Sequence, residues 1–232
     1  MLNSFFENSV FFGVALSFLA YGIGLFFKNK LKFSILNPLL ISIMITVGVL
    51  LLADIKYEYY YAGAKNISFL LTPATVCLAI PLYEQFEILK KNVTAILIGI
   101  VSGVLTSLCC ILGMVILFHM DHKQYVSLLP KSITTAIGIG VSEELGGYVA
   151  ITTSIIIMTG VFGNVIGELV LKLFRIKEPV AKGIALGTAS HAIGTAKAME
   201  LGEIEGALGS LSIVVSGIIT VGFAPFFAGL LN

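Results

Sequence analysis

Charged and hydrophobic positions separate along this chain into long blocks. Residues 8–27, 33–53, 92–120, 145–167 and 206–232 contain no Asp, Glu, Lys or Arg, which gives uncharged runs of 20, 21, 29, 23 and 27 residues. A helix needs about 20 mostly apolar residues to cross a hydrocarbon core, so each run predicts a spanning helix. The first run has the position of a signal peptide but not its chemistry. Glu7 stands where a basic segment is needed, no A-x-A site follows, and Lys28, Lys30 and Lys32 come after the apolar stretch. It is expected to persist as a first helix.

Three other uncharged stretches have a different texture. Residues 66–83 carry Pro73 and Pro81, residues 132–142 are rich in Ser, Thr and Gly, and residues 183–196 are richer still in small and polar groups. Hydroxyls and interrupted backbone are costly against lipid and are tolerated at membrane depth only where protein or a water-filled cavity satisfies them. Close helix packing through small residues is the plainer explanation for any one stretch. Three together predict a polar cavity.

Composition agrees and narrows the classes. The chain has 14 Lys+Arg against 13 Asp+Glu, a net charge of +1, 57% hydrophobic residues and only 12% charged ones, with a mean hydropathy of +1.02. That is too little charge to cover an ordinary soluble domain, and no basic excess marks a nucleic-acid surface. No G-x-S-x-G, H-E-x-x-H or P-loop string is present, so neither an enzyme, a cofactor nor a metal site is expected. Cys77, Cys109 and Cys110 lie in apolar runs without partners at ligand spacing, and free buried thiols are expected.

A weak internal repeat suggests how the helices are arranged. Val101-Ser102-Gly103 recurs as Val215-Ser216-Gly217, 114 residues later, and Pro73-Ala74-Thr75 lies beside Thr188-Ala189-Ser190 at an offset of 115. The expected fold is an all-α polytopic membrane protein with two inverted repeats, 1–118 and 119–232. Each repeat would have three spanning helices and one broken or re-entrant segment, with the stretch ending near Ser142 counted as a crossing. Lys28, Lys30, Lys32, Lys123, Arg175, Lys177 and Lys182 then share one side, with Lys131 close by, and Lys56, Lys65, Lys90 and Lys91 take the other. The positive-inside rule prefers this layout, with both termini outside the cytoplasm and Tyr57, Tyr59, Tyr60 and Tyr61 in an external interfacial belt.

The broken stretches carry the candidate chemistry. Pro73 removes a backbone donor and disturbs the preceding turn. A helix restarting at about Ala74, with Thr75 beside it, would aim its first N–H groups at an anion. In the second half Gly187 is expected to break the chain, leaving Thr188 and Ser190 to cap the helix that follows. His191 is an ionisable group inside an uncharged stretch and so a candidate substrate ligand or proton carrier; a ring bonded to a neighbouring carbonyl is the alternative. Lys131 beside Ser132, Thr134 and Thr135 offers one cation among hydroxyls, either to a substrate or to lipid headgroups. Lys197 with Glu200 reads as a local ion pair; Glu168, on one face with Asn164, would either carry protons as a buried acid or simply reach the interface with Lys172, the plainer reading. Glu143 and Glu144 read as a solvated helix end. Gly163 and Gly167 read as a close-packing pair.

Three strings connect these residues to a known family: Leu71-Thr-Pro-Ala-Thr-Val-Cys-Leu-Ala-Ile-Pro-Leu-Tyr-Glu-Gln85, Pro130-Lys-Ser-Ile-Thr-Thr135, and Gly187-Thr-Ala-Ser-His-Ala-Ile-Gly-Thr-Ala-Lys197. Over nearly its whole length the chain resembles the LrgB/CidB family of bacterial antiholin-like membrane proteins, and it is similar to the C-terminal half of the plastidal glycolate/glycerate translocator of plants. Where that family has Pro after the Thr-Thr pair and an acidic residue four positions on, this chain has Ala136 and Gly140. The resemblance implies passage of small organic anions such as glycolate, glycerate or pyruvate, or control of cell-wall lysis, in a bacterial plasma membrane. It adds Thr195 to the substrate-binding candidates. It also implies a small LrgA-like membrane partner and a homo-oligomer. Two functions follow as expectations, a secondary carrier for small monocarboxylates and an oligomeric pore or pore modulator.

Overall fold

The computed structural model of the chain describes residues 11–31, 37–77 and 79–231, and among them the only regular structure is helical. The side chain of Thr75 lies outside the described residues. Packing divides the chain into two compact units, Met1–Cys77 and Leu78–Asn232, so the division falls well before the 118/119 boundary of the expected repeats.

The first unit contains α1 (Phe12–Leu31), α2 (Pro38–Leu52), α3 (Tyr57–Ala64), a 3-10 helix (Lys65–Leu70) and α4 (Leu71–Cys77). The start of α2 is set by Asn37, whose side-chain oxygen accepts from Leu39 N at 2.8 Å and Leu40 N at 3.3 Å, with Pro38 in the first turn where no donor is required. That cap leaves α2 only 15 residues long, about 22 Å at 1.5 Å per residue and short of a hydrocarbon core. Glycine brings the helices together: a Cβ on Gly24 would lie 2.5 Å from the Pro38 carbonyl oxygen. On α3, Tyr57 and Tyr61 are exposed and stacked at 5.8 Å, and the Tyr60 hydroxyl meets Ser17 Oγ at 2.9 Å. The expected break before Pro73 is the junction of the 3-10 helix with α4. The helix restarts at Leu71, earlier than expected, and Pro73 and Ala74 lie within its first turn.

The second unit contains α5 (Ala79–Glu84), α6 (Phe86–Lys91), α7 (Val93–Phe118), α8 (His122–Leu128), α9 (Thr135–Glu144), α10 (Val149–Leu173), α11 (Pro179–Leu201) and α12 (Glu203–Ala228). With α1, the helices α7, α10 and α12 are long and apolar enough to cross a membrane. Along α7 the buried stripe is Ile96, Ile100, Val104, Leu108, Ile111 and Val115, at the three-to-four-residue spacing of one helix face. Its outer face carries Leu97, Ile98, Ile116 and Leu117, all exposed. A water-facing helix would be polar there; this one is apolar on both sides because its outer solvent is lipid.

Two segments of this unit fold back on themselves. Within α11, Ser190 (φ −135°, ψ 21°) and His191 (φ 42°, ψ −136°) leave helical geometry. The first limb runs antiparallel to α10: Gly167 faces Leu186 Cδ2 at 2.5 Å and Gly163 faces Ser190 Cβ at 2.5 Å, both measured from a Cβ built on the glycine. The second limb runs parallel to α10, since Asn164 donates to the Ile193 carbonyl at 2.7 Å and Glu168 pairs with Lys197 at 3.1 Å. The chain therefore reverses at Ser190–His191, and Gly194 on the second limb lies against the Leu186 carbonyl on the first. Such contact is impossible across eight residues of straight helix, which span about 12 Å. Leu186 and Ala198 close the gap between the limbs together with Leu171.

The second reversal is the hairpin α8–α9. Thr152 Oγ1 donates to the Ser127 carbonyl at 2.9 Å and lies 2.7 Å from the Ser142 hydroxyl, so both limbs meet the start of α10 at one level. A capping box on Asp121 and Gln124 starts α8. A left-handed Gly146 (φ 76°) ends α9, with Gly147 N bonded to the Ser142 carbonyl at 2.7 Å, the closure that favours glycine at a helix C-terminus. The stretch 132–142, expected to complete a crossing, turns back instead.

That reversal reorders the ends of the bundle. A Cβ on Gly99 would lie 3.4 Å from Ile184 Cγ2, and one on Gly103 2.9 Å from Thr188 Cγ2, so α7 and the first limb of α11 run parallel. Lys90 and Lys91, just before α7, therefore share an end with Arg175, Lys177 and Lys182, and Lys123 lies at the other. The expected charge grouping paired them differently because it counted 132–142 as a crossing. Since α12 starts beside the first limb, with Gly183 against Glu205 and Gly187 against Gly209, α7 and α12 also run the same way.

Candidate functional site

The tips of the two hairpins come from opposite ends of the second unit and meet beside the middle of α7. Lys131 Nζ donates to Ser132 Oγ at 2.9 Å, and Ser132 Oγ lies 3.3 Å from Ser107 Oγ on α7. Thr188, on the second hairpin, lines the same two voids as Ser107 and Ser132. Its side chain is 6% exposed and its hydroxyl has no hydrogen-bond partner among the described residues. A buried hydroxyl left unpaired costs about 1–3 kcal/mol, so this group is placed to receive a ligand or a water.

The larger void is a cavity of about 730 Å³ running along α7 and the first limb of α11, from Asn92 and Glu178 at one end to Cys110, Lys131 and Ser132 at the other. Ser102, Gly103, Thr106 and Ser107 give it a polar wall on α7. Of its lining residues only Lys131 and Glu178 are charged. Glu178 starts the first limb and Thr188 ends it, roughly 15 Å apart by helix rise. An anion about 4 Å from Lys131 gains about 4 kcal/mol at an effective dielectric of 20, against a repulsion of about 1 kcal/mol from a carboxylate 15 Å away. The cation therefore sets the sign of the local potential at the deep end. Behind it lies a void of about 10 Å³, room for about one water, into which Ser216 and Thr220 of α12 also face.

His191 does not line this cavity. It is 4% exposed, and Nε2 lies 3.0 Å from the Ile156 carbonyl on α10. A carbonyl only accepts, so Nε2 carries the hydrogen. The ring lies over Gly160, where a Cβ would come within 2.8 Å of Nε2. Gly160, Gly163 and Gly167 thus form a groove on α10 that seats the second tip, and the packing role expected of Gly163 and Gly167 is what they perform. The φ of 42° at His191 is a conformation that favours glycine and costs a non-glycine residue about 1–3 kcal/mol. The bond to Ile156 and the glycine groove hold it in place.

The remaining candidates separate into those at the site and those elsewhere. Thr134 caps α9 without a side-chain hydrogen bond and Thr135 begins it; both are half-buried. Gly187 does not break the chain; it is buried where a Cβ would lie 2.5 Å from the Gly209 carbonyl oxygen, so its role is close approach of α12. The break falls after it, at Ser190–His191, so Thr188 lies inside the first limb and caps no helix, and Ser190 is itself part of the break. Thr195 is fully buried on the second limb, facing Gly209, and its hydroxyl has no partner among the described residues. Pro73, Ala74 and Thr75 belong to α4 in the first unit.

The charged pairs bear out the local reading and extend it. Lys197 meets Glu200 at 3.2 Å, and Glu168 meets Lys172 at 2.7 Å. Glu168 also meets Lys197, clamping α10 to the second limb, which spacing along a single helix does not reveal. Glu143 and Glu144 are exposed. The cysteines depart from expectation: all three are free but exposed, with Cys110 lining the cavity. The signal for the first hairpin was present in the sequence. Ala136-Ile137-Gly138 recurs as Ala192-Ile193-Gly194 at an offset of 56, and Val93 and Val149, which open α7 and α10, are 56 apart, as are the left-handed residues His119 and Arg175 that follow those helices.

The chain matches the LrgB-like family over residues 17–230. It is 41% identical over 218 residues to proteins described as antiholin-like protein LrgB from Bacillus cereus (strain B4264) and Bacillus anthracis (strain A0248 and strain CDC 684 / NRRL 3495), covering 94% of this chain and 95% of each relative. No solved structure matches it. A membrane-type bundle of apolar helices, the three motifs and a match across nearly the whole length agree: the chain belongs to the LrgB family.

Proposed function

We propose that the chain does the antiholin-like work for which its relatives are named by binding small organic monocarboxylates between the two hairpin tips and passing them across a bacterial plasma membrane. The observation that carries this reading is the Lys131–Ser132–Ser107 group, with the unpartnered Thr188 hydroxyl, at the deep end of a cavity beside the middle of a 26-residue apolar helix. Broken segments meeting near the midplane are the arrangement secondary transporters use to hold a substrate. In this reading the hairpins are re-entrant, entering from opposite faces without crossing. The succession α7 plus hairpin and α10 plus hairpin then forms an inverted pair, a different pair from the two halves of the chain. By the positive-inside rule, Lys90, Lys91, Arg175, Lys177 and Lys182 favour the cytoplasm for their shared end.

Lys131 is the anion's counter-charge, and Ser107, Ser132 and Thr188 orient its oxygens. His191 acts through position, fixing the second tip on α10. Because Nε2 already donates to Ile156, Nδ1 is the ring atom left to take up a proton, and a coupled proton would enter there.

The relatives' name favours the second reading, a pore or pore modulator acting with a small LrgA-like partner or as a homo-oligomer. The two readings separate in proteoliposomes. A carrier gives saturable counterflow of labelled pyruvate or glycolate that Lys131→Gln removes. A pore gives leakage graded by solute size that Lys131→Gln leaves intact, and that result would overturn the proposal.

A further inference from the structure

A second charged cavity lies away from the hairpin tips, at the root of the α11 hairpin. It measures about 410 Å³ and is lined by Lys172, Arg175, Lys177 and Lys182, by Glu168, and by the apolar Leu171, Ile176 and Leu201. Its acid is already neutralised, since Glu168 pairs with Lys172 at 2.7 Å and Lys197 at 3.1 Å. Lys182 reaches Glu205 at 3.6 Å. Arg175 and Lys177 have no ion pair or side-chain hydrogen bond among the described residues.

The backbone aims this group deliberately. Ile176 N bonds to the Leu171 carbonyl at 2.9 Å and Arg175 N to the Lys172 carbonyl at 3.1 Å, so α10 ends in a Schellman motif. Arg175 fills its left-handed position at φ 55°, where glycine would cost less. The stabilisation of a helix C-terminus by nearby cations accounts for Lys172. It does not account for a cavity holding two further unpaired cations against an apolar wall. Outside the cavity the wall continues into Leu169, Leu173 and Phe174, which are 66%, 73% and 70% exposed, on the last turns of a helix long enough to span.

We infer that this cavity binds the phosphate headgroup of an anionic phospholipid from the leaflet on the Arg175 side. Arg175 and Lys177 contact the phosphate, and the acyl chains lie along Leu173 and Phe174. Basic pockets between spanning helices recognise lipid headgroups by this combination of charge and apolar wall. The bound lipid would tie α10 to both roots of the hairpin, at Lys182 and Leu201. The inference needs only the membrane location and not the transport reading.

The test uses the full-length protein purified in mild detergent. Thermal unfolding and native mass spectrometry are compared after addition of phosphatidylglycerol, phosphatidylcholine or inorganic phosphate. Phosphatidylglycerol is expected to be retained and to raise the unfolding midpoint, and the other two are not. The double variant Arg175→Gln/Lys177→Gln is expected to lose about thirtyfold in phosphatidylglycerol affinity, from the usual worth of two cations near a leaflet. Arg175→Lys/Lys177→Arg, which keeps both charges, should restore most of it and shows that the loss is not misfolding. Equal retention of phosphatidylcholine, a phosphatidylglycerol shift unchanged in the Gln variant, or an equal shift from inorganic phosphate would each overturn the assignment.

Discussion

The two hairpins of the second unit perform the same turn by different means. Between α8 and α9 the chain takes residues 129–134 to reverse, with no left-handed residue among them. That tip is polar, and it presents the half-buried Lys131 to a cavity. Within α11 the reversal takes two residues, one of them at φ 42°. That tip is sealed: Ser190 is 2% exposed and His191 4%, and both are pressed into the glycine groove of α10. The contrast separates two tasks. In the proposed function the wide, relaxed tip carries the chemistry, and the tight, strained tip holds the frame against which it is positioned. Substitutions in the sealed tip should therefore register in stability, and substitutions in the open tip in binding and passage.

The largest expected effect comes from filling the groove. Gly163→Val places methyl groups where Ser190 already sits, and overpacking of this kind costs about 1–3 kcal/mol or more. The expected result is loss of a monodisperse, cooperatively unfolding protein; an unchanged unfolding midpoint would mean the tip is not seated there. Lys131→Gln comes next: at least about tenfold slower monocarboxylate counterflow, with an unfolding midpoint close to that of the parent. A large fall in stability instead would move Lys131 from the chemistry to the frame.

His191 gives a smaller and more discriminating test. His191→Ala loses the bond to Ile156, worth about 1–3 kcal/mol with its carbonyl left buried. His191→Gly loses the same bond but relaxes the left-handed backbone, and should be less destabilised than Ala by about 1 kcal/mol. Denaturation of the two variants side by side checks the sign. Thr188→Val is the mildest change. It keeps the shape and removes a hydroxyl without a partner, so stability should hold or rise by less than about 1 kcal/mol, while the apparent KM for the anion rises.

The long apolar helices were legible in the sequence because lipid imposes a length on any uncharged run, and α7, α10 and α12 fall within or beside 92–120, 145–167 and 206–232. The irregularity of 183–196 was legible for a related reason, since its small and polar residues make a poor lipid-facing helix. The exact place of the break was not. Gly187 is the residue that backbone freedom suggests, but freedom is not what sets the turn. The glycines that matter for it lie on the neighbouring helix, at Gly160 and Gly163, where they make room for Ser190 and His191. The α8–α9 reversal was hidden because a Ser-, Thr- and Gly-rich run of that length reads equally as a polar crossing or as a turn. Contacts between Ser127, Ser142 and Thr152 decide it, and no periodicity reports them. The 56-residue recurrence of Ala-Ile-Gly carried the information, in a signal too short to stand out from apolar sequence.

In the proposed arrangement the Lys131 segment enters and leaves by the same face, so that two hairpins meet from opposite sides. Single cysteines at Lys90, Lys123 and Lys177, introduced after Cys77, Cys109 and Cys110 are replaced, can be labelled with a membrane-impermeant thiol reagent in oriented membranes. All three positions are exposed. The structure predicts that cysteines at 90 and 177 label from one side and the cysteine at 123 from the other. Labelling of 123 and 177 from the same side, with 90 opposite, would mean that residues 132–142 cross the membrane and that the two tips do not face each other.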